Sequence, residues 1–172
     1  GFDSTDSKTN LMDAFRCAAE DLPGVAIVFD GKVIPGTRAK KTRSKSFQAF
    51  SSINYPYLGI LRDGVLLRYI RQDCGAYPMF YDTLNTKVAL LKLLPGMDRG
   101  AADFLLERND GLIIESFGVG GLPESGGFYH CVDEALAAGK TVVITTQVEN
   151  EGSDVGGYHV GHDLKNKLGV LE

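Results

Sequence analysis

The sequence predicts an α/β fold: a parallel, flavodoxin-like C-terminal domain with helices on both faces, preceded by the end of an N-terminal α/β domain with hairpins. Three observations predict it. From Val88 onward, strand-length apolar runs alternate with helix-spaced segments, which implies βαβ crossovers and a parallel sheet. Upstream, two Asp-Gly pairs each sit between short apolar runs, the strongest short-range hairpin signal. Between them, residues 73–87, "DCGAYPMFYDTLNTK", carry neither period and read as a linker. The expected layout is 1–72 for the N-terminal part, 73–87 for the linker and 88–172 for a C-terminal domain cut short.

The elements follow in order. "STDSKTNLMDAFRCAAEDLPG" opens on cap candidates and places Leu11, Ala14, Phe15, Ala18, Ala19 and Leu22 at helical spacing; Pro23-Gly24 stops it. "VAIVFDGKVIPG" and "LGILRDGVLLRYI" each read as strand, Asp-Gly turn and return strand. "VALLKLLPG", "GLIIESFGVGG" and "TVVITTQV" are buried strands of a parallel sheet. "DRGAADFLLERND", "GGFYHCVDEALAAGK" and "GGYHVGHDLKNKLGVLE" are the helices. Ligands of such sheets sit beyond the strands' carboxyl ends, here Pro95-Gly96, Gly118 to Gly121 and Thr145 to Glu149.

Composition narrows the classes. At 172 residues the chain is one large domain or parts of two, and 44% hydrophobic with 23% charged residues is that of a globular protein. No apolar run reaches the roughly 20 residues of a membrane span, and the start shows no signal peptide. A net charge of −4 argues against general nucleic-acid binding. Cys17, Cys74 and Cys131 are odd in number and form no CxxC pair, which points to a reduced, cytoplasmic protein. The first residue is not Met, which reads as a fragment or a processed chain.

Four motifs could carry chemistry. "GVGGLPESGG" could cradle an anion or bring backbone close to a small ligand, or it is a plain turn; it lacks both the Walker ending and the dinucleotide fingerprint. His159 and His162 lie three apart with neither HExxH nor a Cys pair, so a surface or interface role is favoured over a metal; His130 is expected to pack on its helix. "TTQV" puts hydroxyls and an amide at a strand tip, to bind a ligand or to cap a loop. "RAKKTRSK" gathers Arg38, Lys40, Lys41, Arg43 and Lys45 into eight positions: a solvated loop, a polyanion grip, or the setting of one functional lysine.

Taken in order, "TD…NL…A…AA", "GVAIVFDGKVIPGTRAKKT", "FQAFSSIN", "YLGIL", "LLPG", "GLIIESFGVGGLP", "GKTVVITTQV" and "GGYHVG" resemble the bacterial-type L-asparaginase family, nearer its cytosolic branch. The most specific parts are Gly36, Arg38 and Lys41 in "G-x-R-x-x-K", the "GVG" turn and the "TTQ" strand end. The resemblance implies hydrolysis of asparagine to aspartate and ammonia, no cofactor, and a homodimer or homotetramer. It also implies a threonine nucleophile and a second Thr-Asp-Lys group, with Lys41 as the catalytic lysine. Gly120, Gly121 and Asp154 would contact substrate, as contributions to a neighbouring subunit's site. Arg38, Lys40, Arg43 and Lys45 would be loop charges or salt-bridge partners.

The departures matter. The family's "TGGT" segment and its Thr-Asp pair are expected upstream of Gly1, and its last helices downstream of Glu172, so the chain reads as an internal piece that is inactive alone. Thr5-Asp6 matches the family's later helix start and is given no catalytic role. Gly121-Leu122-Pro123 stands where the family has an Asn-rich turn, and Val148 where some members have an effector-site cysteine. Two other readings stay open: an asparaginase-like subunit of a tRNA-dependent amidotransferase, and a non-catalytic amino-acid-binding or oligomerisation module.

Overall fold

The structure is a computed structural model that describes residues 6–73, 75, 77, 79–153 and 170–171. It divides into two compact units between Phe80 and Tyr81.

In the first unit, helix α1 spans Ser7–Ala19. Strands β1 (Ala26–Phe29) and β2 (Lys32–Pro35) pair antiparallel, with Phe29 opposite Lys32 across Asp30-Gly31. After a 3-10 turn at Gly36–Arg38, β3 (Ala39–Lys41) pairs with β4 (Phe50–Ser52) as a separate two-stranded sheet. β5 (Gly59–Arg62) and β6 (Val65–Arg68) form the second Asp-Gly hairpin and complete a sheet of order β1-β2-β5-β6. Both turns have positive φ at Asp and Gly, 52° and 67° at Asp30-Gly31 and 51° and 76° at Asp63-Gly64. This is the primed turn geometry that matches strand twist, and Asp-Gly is among the few pairs that adopt it cheaply. Cys17, Val33 and Leu58 form the buried centre.

The helix forms where its spacing predicts, yet a different face is buried. Leu11 and Phe15 are 58% and 63% exposed, whereas Asp13 and Cys17 are buried. Polar contacts account for the turned face. Asp13 accepts from Arg16 at 2.8 Å, and Asn10 Oδ1 accepts the Asp30 backbone N–H at 2.9 Å, fastening the helix to the hairpin turn.

The second unit is a four-stranded sheet of order β10-β9-β8-β7. Its strands are β7 (Val88–Lys92), β8 (Gly111–Ser116), β9 (Thr141–Thr146) and β10 (Val170–Leu171), all parallel. Helices α2 (Gly100–Arg108) and α3 (Phe128–Ala137) make the crossovers. The core is Leu91 and Leu93 of the β7 strand and its exit, Leu112, Ile114, Val142 and Ile144, packed on Ala102, Leu106, Phe128, Cys131, Val132 and Ala135. Complete burial of one such aliphatic or aromatic side chain is worth about 1.5–3 kcal/mol.

One expectation changes here. The two described helices pack on one face of the sheet, because every core residue of the strands belongs to the same alternating set. The strand order explains it: sequential neighbours joined by right-handed crossovers return on the same side each time. The expected last helix falls mostly outside the described residues, but Val170–Leu171 is a strand beside Val142 and Val143, so the helix does not run to the end.

Candidate functional site

The strands' carboxyl ends are fastened to one another by side chains. Gln147 donates its amide to Leu93 O at 2.8 Å and Glu115 O at 3.0 Å, joining the exits of β7, β8 and β9. Ser116, fully buried, donates to Thr145 O at 2.8 Å. Thr146 donates its hydroxyl to Gly118 O and accepts from Val148 N at 3.0 Å. Of the two roles open to "TTQV", the Thr146 hydroxyl and the Gln147 amide nitrogen fill that of capping backbone.

The "GVGGLPESGG" turn follows. Gly120 N donates to Phe117 O at 2.9 Å, and Phe117 bridges to Gly121. Gly120 has φ +115° and Gly126 φ +86°, regions that L side chains rarely adopt. A Cβ on Gly126 would also lie 2.9 Å from Met97 O. Beside the turn is an open cleft of about 340 Å³ lined by Phe117, Gly121, Leu122, Pro123, Glu124 and Tyr129. The Tyr129 hydroxyl donates to Leu122 O at 3.3 Å, and burial raises its pKa. Glu124 belongs to the turn itself; Tyr129, on α3, was singled out by no motif, and the start of that helix brings it to the cleft.

The basic stretch is a hairpin rather than an unstructured loop. Thr42 N and Arg43 N donate to Ala49 O at 2.8 and 3.2 Å, and the Thr42 and Ser51 hydroxyls bond at 2.8 Å. Arg43 reaches Gln48 O at 3.0 Å, and Arg38 sits 5.8 Å from the Tyr55 ring. Lys41 ends β3 opposite Phe50 and is exposed. No ion pair or hydrogen bond engages its ammonium group among the described residues. Lys41 is in the first unit and Gly120 and Gly121 in the second, while Asp154, His159 and His162 lie outside the described residues.

A further cluster escaped sequence reading. Arg99 donates to Asp103 at 2.8 Å, pairs with Glu134, and lies 2.9 Å from His130 Nδ1. The i,i+4 spacing of Arg99 and Asp103 is visible in sequence; the partners on α3 are not. His130 is therefore an exposed member of an inter-helix network, not a packed side chain. Cys131 is buried and free, its thiol pushed up to about 11 by burial and by the neighbouring Asp103, so it is no nucleophile. No group of three His, Cys, Asp or Glu residues suited to a metal occurs among the described residues.

Two family models cover the chain consecutively: asparaginase, N-terminal, over residues 2–73, and glutaminase/asparaginase C-terminal domain over 87–172. The chain belongs to the asparaginase family. An L-asparaginase of Thermococcus kodakarensis is 33% identical over 92% of this chain and 48% of its own length. A solved structure of the thermostable L-asparaginase from that organism superposes with a TM-score of 0.87 at 31% identity, over 94% of this chain and 49% of the other. A subunit of the glutamyl-tRNA(Gln) amidotransferase of Methanococcus maripaludis is 30% identical over 98% of this chain and 43% of its own. This asparaginase-family chain thus spans about half the length of the curated relatives it matches.

Proposed function

We propose that these residues are part of an L-asparaginase that hydrolyses L-asparagine to L-aspartate and ammonia, and that Lys41 is its catalytic lysine. The observation that carries the assignment is the state of the basic hairpin. Arg38 and Arg43 are engaged within it. The Lys41 ammonium, matching the family's lysine in "G-x-R-x-x-K", projects from a paired strand with no partner among the described residues. A strand end holds such a group more rigidly than a loop does, which suits a proton relay.

The chemistry needs an activated hydroxyl, a site for the oxyanion and a group that moves the hydroxyl proton. Lys41 paired with a carboxylate performs the last task. None of the 172 residues is assigned as the threonine nucleophile, so these residues alone are proposed to be inactive. Gly120, Gly121 and Asp154 are proposed to contact substrate, in a homodimer or homotetramer. Free, buried Cys17 and Cys131 suit a cytoplasmic setting.

A second reading is favoured by the amidotransferase relative: the same domain deaminating an amide donor for a tRNA-bound acceptor. One experiment separates the two. The full-length protein carrying these residues is given L-asparagine, then L-glutamine, with and without glutamylated tRNA. The proposal expects ammonia and equimolar aspartate from asparagine without tRNA. Ammonia release that requires the tRNA contradicts it.

A further inference from the structure

A lysine carries its ammonium on a long, flexible stem, so a proton relay through Lys41 needs something to aim it. The strand pairing shows what stands beside it. Lys41 is the partner of Phe50 across β3 and β4, and the backbone bond next to the pair runs from Thr42 N to Ala49 O at 2.8 Å. That pattern makes Lys41 and Phe50 a non-hydrogen-bonded antiparallel pair. Such a pair has both side chains on one face and Cα atoms about 4.5 Å apart, the closest approach two strands offer. Lys40 and its partner Ser51 point to the other face, as does Thr42, whose hydroxyl bonds that of Ser51 at 2.8 Å.

A two-stranded hairpin is marginal by itself in water, and β3 and β4 pair with no third strand among the described residues. Phe50 supplies an anchor. Its ring packs on that of Phe29, with centroids 5.1 Å apart and planes inclined at 56°, within the range of favourable aromatic pairs. Phe29 ends β1 at the Asp30-Gly31 turn, where Asn10 of α1 accepts the Asp30 N–H at 2.9 Å. A continuous line thus runs from α1 through the turn and two rings to the residue opposite Lys41. We infer that Phe50 is a positioning residue for the catalytic lysine: through its contact with Phe29 it fixes the strand pair that carries Lys41, and so limits where the ammonium points. The inference rests on the reading of Lys41 as the catalytic lysine.

The test measures ammonia release from L-asparagine by the full-length protein carrying these residues, with folding and native assembly verified for each variant. Phe50→Ala is expected to lower kcat about tenfold or more with KM nearly unchanged, the signature of a misaimed reacting group. Phe50→Leu, which keeps apolar bulk for the fold and gives up the ring, is expected to lose kcat in the same sense. Phe50→Tyr, which keeps the ring, is expected to retain it. Ser51→Ala, on the other face, is expected to change kcat by no more than about threefold, the scale of a surface substitution. In the Lys41→Met protein, adding Phe50→Ala is expected to cost no more than about twofold further, because residues that act as a unit are not additive. Lys41→Met that leaves kcat intact contradicts the Lys41 reading, and the inference with it. With Lys41→Met severe, the inference alone is overturned if Phe50→Ala and Phe50→Leu spare kcat, if Ser51→Ala costs as much as they do, or if the losses of Lys41→Met and Phe50→Ala multiply.

Discussion

Gln147 reaches Leu93 across an intervening strand, its side-chain amide 2.8 Å from the Leu93 carbonyl and 3.0 Å from that of Glu115. One side chain thus closes three strand exits. Removing it takes away the donor to the Leu93 carbonyl, while Glu115 O keeps the Leu93 N–H at 3.0 Å; a part-buried carbonyl left without a partner costs more than the net value of a hydrogen bond. Gln147→Ala is expected to destabilise the second unit by about 1–3 kcal/mol. Urea unfolding followed by amide exchange of the β7, β8 and β9 strands measures it; an unchanged midpoint removes the clamp.

Acid sensitivity should trace to Arg99. Its hydrogen bond holds the Asp103 carboxyl below the usual carboxylate range, and its bond to Glu134 does the same there. Groups whose folded pKa is depressed contribute stability above their unfolded pKa, about 4, that is lost as pH falls through the lower folded value. Thermal unfolding from pH 6 down to 2 should show this loss. In Arg99→Gln the slope below about pH 4 should flatten. An identical slope assigns acid sensitivity to other carboxyls.

Gly126 tests the turn. Its positive φ, and the 2.9 Å that would separate an added Cβ from Met97 O, leave no room for alanine. Gly126→Ala is expected to cost about 1–3 kcal/mol, the range for residues held in sparsely populated backbone conformations. A fall in the unfolding midpoint with unchanged circular dichroism checks it.

How much was legible in sequence depended on range. The Asp-Gly hairpins and the alternation after Val88 are local signals, and both elements form where their residues require. The buried side of α1 was not legible, because Leu11 and Phe15 have the right spacing while the fastening comes from Asn10 to Asp30, twenty positions away. At the candidate site, Lys41 was visible only by resemblance. Its distinction from Arg38 and Arg43 required the pairing of β3 with β4.

The central claim is that one lysine of the basic hairpin does chemistry and its neighbour does not. The most direct measurement is steady-state ammonia release from L-asparagine by the full-length protein carrying Lys41→Met or Lys40→Met, each verified as folded and in its native assembly. Loss of a proton-relay group lowers kcat by roughly 10²-fold or more with little change in KM. Lys40→Met is expected to change kcat by no more than about two- to three-fold, the scale of a screened surface charge. If the two variants lose activity alike, or Lys41→Met raises KM while sparing kcat, the stretch is a charged patch and Lys41 is not catalytic.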